Sequence, residues 1–447
     1  MHKSIPFRNF LIIFFSFLWF SLDTYPENLI NINFSNDNNK NFLAFRFIAP
    51  YIFFISFLFF SKQIKFKTNH KILNFILLIT FLNFLIQTIS LLILNNEINN
   101  LNYIFLTFFS FLILINIFNL NFEKKLFVIS LFILFMVVLV YGLALLWWLF
   151  FKSTSLNLYG FWPHGVGSFL ELSNLPPRSS GIGRSALILC IPIIITIITQ
   201  NKTEKIFFIL YYFFTLLILL TQSRIVILFL VIATPLIFFC ILLKKKHIFK
   251  NIFLILILPI LIWIGSINLK IYLQKTVFEG SKIISYKNKT FEKVFRPVDA
   301  KSFTSNRYQD WNNIIKYNNN KLFGNGVMGD RHIINQTASN LYLYNYASGG
   351  IISVILFFIV ILRAFFICSK ILLYEKYSQK KNVLVISACF IQLFLMLRSL
   401  TETSFAVFGV DFLIFFTSYF YLEKYYLINR NINCTDLRTL KKNTFGL

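Results

Sequence analysis

Apolar runs of 15 to 25 residues recur along the chain, separated by short polar stretches that carry most of its lysines. A helix rises 1.5 Å per residue, so about 20 apolar residues cross the hydrocarbon core of a bilayer. Runs near 8–22, 42–61, 72–94, 103–122, 126–150, 185–200, 206–221, 225–243, 251–267, 347–369, 383–398 and 404–422 predict about twelve transmembrane helices. The first run follows Lys3 and Arg8 and is followed by no small-residue cleavage site, so it is read as a span rather than a signal peptide. One stretch, 268–346, is long and hydrophilic. Within it, Trp311, Ile314 and Ile315 among polar residues predict a short amphipathic helix over 303–317. The expected fold is therefore all-α and polytopic. Spans one to nine occupy 1–267, a large external loop 268–346, three further spans 347–422, and a cytoplasmic tail 423–447.

Composition agrees. Of 447 residues, 57% are hydrophobic and 13% charged, with a mean hydropathy of +0.70, whereas a soluble domain carries about a quarter charged residues. The joint abundance of Phe, Ile, Asn and Lys fits AT-rich coding, so the 59 phenylalanines are assigned no role of their own. Cys190, Cys240, Cys368 and Cys389 fall in apolar runs and Cys434 in the tail, without metal-like or CxxC spacing.

The net charge of +26 would suggest nucleic acid in a soluble protein. Its distribution excludes that reading. With the N-terminus inside, the inner segments hold 23 Lys and Arg residues, and the short outer ones only Lys40, Lys152, Arg178, Arg184 and Arg224. This bias predicts both termini in the cytoplasm. The loop 268–346 carries twelve basic and five acidic residues, but long loops translocate regardless of charge.

Candidate chemistry lies where the topology needs no charge. Arg178 and Arg184 stand in PPRSSGIGR, Arg224 in TQSRIVIL and Arg307 in the long loop. Any one of them can be an interfacial anchor. Several converging from separate outer segments suit a pyrophosphate, which guanidinium groups grip through paired charge-assisted hydrogen bonds. Pro176 and Pro177 stop a preceding helix, Gly181 and Gly183 allow close backbone approach, and Ser179 or Ser180 is placed to cap a helix starting near Arg184. A simple re-entry of the chain into the membrane explains the same pattern. Arg398, at the outer end of its span, either faces the same cavity or pairs with nearby Glu402, while Arg363 is expected to snorkel inward. His164 and His332 are the external histidines, and Glu171, Glu279, Glu292, Asp310, Asp330 and Glu402 the external carboxylates that can act as a base.

Arg178-Ser-Ser-Gly181 before a span, Ser223-Arg224 opening another, Arg307 with Trp311, Gly324-Asn-Gly326, Ser339-Asn340-Leu341-Tyr342 and Gly349-Gly350-Ile351 occur in that order. In this order and placement the chain resembles the bacterial O-antigen ligase and O-antigen polymerase superfamily. These are inner-membrane glycosyltransferases of about a dozen spans with one large periplasmic loop, acting on polyprenyl-pyrophosphate-linked glycans. The family commonly has His-Asn-x-Tyr where this chain has Ser339-Asn340-Leu341-Tyr342. The acceptor-assisting histidine is therefore missing, and His332 is the nearest substitute.

The resemblance implies a periplasmic site. Arg178, Arg224 and Arg184 would bind the donor pyrophosphate, Arg307 would position donor and acceptor, and a base near Asn340 or at His332 would take the acceptor proton. Gly181, Trp311, Tyr342 and Arg398 would contact substrate. No cofactor or metal is expected, because pyrophosphate is already a good leaving group. Implied partners are the lipid-linked glycan, the bilayer, a chain-length regulator and a flippase, with no nucleic acid. Polymerase is the leading reading. Ligation of the finished glycan to lipid A core or protein is the alternative, and a lipid-linked oligosaccharide flippase is a third. Transport would require charges lining mid-membrane spans, which are nearly charge-free here.

Overall fold

The computed structural model describes residues 71–94, 111, 123–147, 179–199, 205–221, 226–232, 234, 261, 264–265, 307–334, 338–373, 382–403 and 410–444. The described residues form helices and short connecting turns, with no strand among them. In chain order the elements are α1 (Lys71–Leu94), α2 (Glu123–Trp147), α3 (Ser179–Thr199), α4 (Lys205–Thr221), α5 (Arg307–Tyr317), α6 (Gly329–Ile334), α7 (Leu341–Leu373), α8 (Val383–Arg398) and α9 (Val410–Thr444). The predicted spans at 8–22 and 42–61 lie outside the described residues, and those at 103–122, 225–243 and 251–267 are described only in part. Two helices, Lys71–Ile93 and Leu341–Leu373, are long and apolar enough to cross a membrane, and shorter apolar helices run Ile182–Ile198, Lys205–Leu219 and Val383–Arg398.

Ile- and Phe-rich segments such as IPIIITII carry high strand propensity. They are helical here, as an apolar surround demands, because a helix satisfies its backbone within one segment. Side-chain hydroxyls follow the same rule and donate to the carbonyl one turn back. Thr80 bonds Ile76, Thr196 bonds Pro192, Thr215 bonds Tyr211 and Thr417 bonds Leu413, at 2.7–2.9 Å.

The chain divides into two compact units, Met1–Phe60 with Leu131–Tyr308, and Ser61–Ser130 with Gln309–Leu447. In the first unit α3 packs along α4, burying Leu187, Ile191, Ile194, Tyr211, Phe214 and Ile218. The C-terminal part of α2 joins them, with Phe135 edge-on to Phe214 at 6.1 Å between ring centroids. Helix α3 begins at Ser179, not near Arg184. Ser179 and Ser180 therefore lie in its first turn rather than ahead of it as caps.

In the second unit α1 and α7 pack antiparallel. Gln87 reaches Ser353, while the C-terminal turn of α1 meets the turn at 323–326, where Ser90 Oγ donates to Phe323 O at 2.6 Å. Helix α7 is two helical pieces meeting at Gly349 and Gly350. Helix α8 packs on α9 and on α7, with Gln392 Nε2 donating to Ser418 Oγ at 2.6 Å. Arg363 does not simply snorkel: its Nη2 and Nε bond Glu423 at 2.6 and 3.1 Å, and the Tyr419 hydroxyl donates to the same carboxylate at 3.0 Å. Glu423 is fully buried, and α9 continues past it to Thr444 without a break.

Candidate functional site

The stretches 318–334 and 338–350 cover the end of the second unit where α1 finishes, α7 turns, α8 ends and α9 begins. Their conformation follows from two glycines. Gly326 has φ +89, and a Cβ there would overlap the Leu91 backbone of α1. Gly350 has φ 64 and ψ −163, a region open to glycine alone, and a Cβ there would overlap the Leu322 carbonyl. Backbone bonds then stitch the stretches together. Asn325 N donates to Ala347 O at 2.7 Å, Gly326 N to Ser348 O at 2.9 Å and Ile351 N to Lys321 O at 2.9 Å. Asn318 Nδ2 adds a bond to Tyr346 O at 3.0 Å.

Beneath this roof lies a buried polar cluster. Gln87 Nε2 donates toward Asn345 Oδ1 at 3.2 Å and Ser353 Oγ at 3.1 Å. The Ser353 hydroxyl donates to Asn83 Oδ1. All four side chains are buried. Asn83 and Gln87 are one turn apart in an otherwise apolar run, a signal visible in the sequence that the motif analysis passed over.

Trp311 holds α5 against the next segment, its Nε1 donating to Ala338 O at 3.0 Å. Asp330 is fully buried and braces the same stretch from the other side, accepting Arg331 N at 3.0 Å and Ala338 N at 2.7 Å. Met328 and Ser339 flank this stretch with positive φ, 60 and 48. For side chains with a Cβ this costs about 1–2 kcal/mol each, and such strain gathers at functional sites.

Asn340 caps α7: its Oδ1 accepts Tyr342 N at 2.9 Å and Leu343 N at 3.0 Å. Its Nδ2 donates to Leu400 O at 2.8 Å, and Leu341 N donates to Ser399 O at 2.9 Å. The start of α7 is thus tied to the end of α8. Arg398 turns away from Glu402 and pairs with Asp411 at the start of α9, Nη1 to Oδ2 2.6 Å. Glu402 donates its backbone N–H to the Arg398 carbonyl at 2.9 Å. His332, in the last turn of α6, is exposed.

Trp311, His332, Asn340, Tyr342 and Arg398 therefore belong to one end of one unit. Arg307 opens α5 and is half-buried, and Gly181 and Arg184 lie in the first two turns of α3. Arg178 and Arg224 lie outside the described residues. Asp411 and the cluster around Gln87 are buried polar groups that sequence reasoning left unassigned, whereas Asp330, named there as an external carboxylate able to act as a base, is buried and accepts two backbone N–H groups. Among the described residues no group of three or more His, Cys, Asp and Glu side chains is placed to hold a metal ion.

No family model, curated protein or solved structure matches the chain.

Proposed function

We propose that the chain is an inner-membrane glycosyltransferase of about twelve spans that polymerises lipid-carrier-linked O-antigen or exopolysaccharide repeat units on the periplasmic face. The observation that carries this reading is the union of separate weak motifs in one folded body. Gly324-Asn-Gly326, Ser339-Asn340-Leu341-Tyr342 and Gly349-Gly350 are far apart as strings, yet backbone bonds from Asn325 and Gly326 to Ala347 and Ser348 and from Leu341 to Ser399 join them at one helix end. A simple tether between two spans has no need of such a body.

In the proposed reaction a hydroxyl of the acceptor repeat unit attacks the anomeric carbon of the donor chain. The carbon–oxygen bond to the pyrophosphate breaks, the polyprenyl pyrophosphate leaves, and the acceptor proton passes to a base, for which His332 is the exposed candidate. Arg178, Arg224 and Arg184 are assigned to the charge that develops on the leaving pyrophosphate, the largest electrostatic demand of such a step. Arg307 and the long loop are assigned to alignment of donor and acceptor. The chain-length regulator and flippase implied by the resemblance would supply and limit the substrate.

Deletion of the gene followed by glycan analysis tests the assignment. A polymerase leaves surface lipid carrying single repeat units, whereas a ligase leaves none and strands long chains on the carrier. Arg178→Ala and Arg224→Ala should each remove long-chain glycan at unchanged protein level. Normal chain lengths in both variants would overturn the pyrophosphate clamp.

A further inference from the structure

We infer that the segment Ile315–Phe323 is a bilayer-interface anchor that seats the folded cap on anionic lipid headgroups. Three observations converge on it. Ile315, Tyr317, Leu322 and Phe323 are exposed, Leu322 at 57% and Phe323 at 49%, although Ile314 beside them is fully buried. Lys316 and Lys321 are exposed in the same stretch, which contains no Asp or Glu. The position is fixed by the chain itself: Ile351 N donates to Lys321 O, so the turn sits at the residue where the long apolar piece of α7 begins.

That piece carries an exposed apolar stripe, Ile351, Ile355, Phe358, Leu362 and Phe365, at helical spacing. Leu322 and Phe323 follow directly on Lys321, whose carbonyl is bonded at the start of this piece, and Lys316 and Lys321 are exposed in the same stretch. Aromatic and apolar side chains flanked by Lys match the headgroup–acyl boundary, where rings settle and ammonium groups reach lipid phosphates. The Lys316 ammonium lies 5.2 Å from the Tyr317 ring centroid, which keeps the pair together on that surface. The anchor would hold the cap at the depth where a lipid-linked pyrophosphate presents itself. It takes from the proposed function only that α7 crosses a bilayer, and it stands whether or not the protein transfers glycans.

The test places a photoreactive benzoylphenylalanine at Phe323 in the full chain in native membranes, with Phe358 and buried Phe390 as references. Ultraviolet irradiation should give phospholipid adducts at 323 and 358 and none at 390, read by mass spectrometry. Lys316→Gln and Lys321→Gln should each lower the anionic-lipid share of the 323 adducts, relative to zwitterionic lipid, by roughly fivefold. Lipid adducts at 358 without adducts at 323 would overturn the anchor alone, as would chain-to-chain crosslinks at 323, which would make the surface an interface between copies. Adducts absent at both positions would overturn the membrane placement of α7 and the anchor with it.

Discussion

Arg398 and Asp411 form a buried ion pair, 2.6 Å from Nη1 to Oδ2, with side chains 6% and 2% exposed. It locks the end of α8 to the start of α9 beside the Asn340 cap. Removing one member of such a pair strands the other charge and costs about 3–5 kcal/mol. Arg398→Met should therefore strongly lower the thermal unfolding temperature in detergent. Arg398→Met combined with Asp411→Leu should restore most of it, because a matched apolar pair needs no desolvation. The double variant also separates structure from substrate binding. Recovered stability with normal glycan length makes Arg398 structural, and recovered stability with short glycan makes it a substrate contact.

Gly326 and Gly350 combine positive φ with direct backbone approach, to Leu91 and Leu322 respectively. Alanine at either pays for the left-handed backbone, about 1–2 kcal/mol, and also forces the neighbouring backbone to move. Gly326→Ala and Gly350→Ala should each loosen the fold around these glycines, so that trypsin, which needs a locally unfolded chain, cuts after Lys321 and Arg331 faster than in wild type. Gly265, whose Cβ would meet nothing within 4 Å, supplies the control: Gly265→Ala should leave the cleavage pattern as in wild type.

The Asn83, Gln87, Asn345 and Ser353 cluster joins α1 to α7 away from water. Gln87→Leu removes the shared donor and leaves the oxygens of Asn345 and Ser353 with a partner lost, at about 1–3 kcal/mol. Asn345→Leu should cost a similar amount. The double variant should cost less than the sum, and a coupling of about 0.6–1.7 kcal/mol matches polar pairs between membrane helices. Chemical denaturation in mixed micelles gives all three values, and strict additivity would show that the cluster does not act as a unit.

The apolar runs made α1 and the longer piece of α7 legible, since burial in an apolar medium leaves the helix as the one outcome for such stretches. The amphipathic helix expected over 303–317 is found as Arg307–Tyr317, with Ile314 inward. The pairing of polar groups was not legible. Gln87 finds its partners 258 and 266 residues later, a distance at which one sequence carries no signal. Arg398 was expected either to face the external cavity or to pair locally with Glu402, and it forms its ion pair with Asp411, 13 residues on. Gly324-Asn-Gly326 and Gly349-Gly350 were read as motifs, and they are sites of backbone contact. Arg178 and Arg224 stay proposals carried by sequence order alone.

Asn340 carries two structural duties, and they make its role separable. Its Oδ1 caps α7 and its Nδ2 holds the Leu400 carbonyl. Asn340→Asp keeps the capping acceptor and loses only the donor, so it should lose about 1 kcal/mol. Asn340→Ala loses both and should lose about 1 kcal/mol more. If glycan length in cells tracks these two stabilities, Asn340 serves by positioning the Ser339–Tyr342 segment. If Asn340→Asp unfolds near the wild-type temperature yet makes only single repeat units, the amide itself touches the acceptor. Paired thermal and glycan-length measurements on the two variants decide between them, because a cap is preserved by a carboxylate while a hydrogen bond donated to substrate is not.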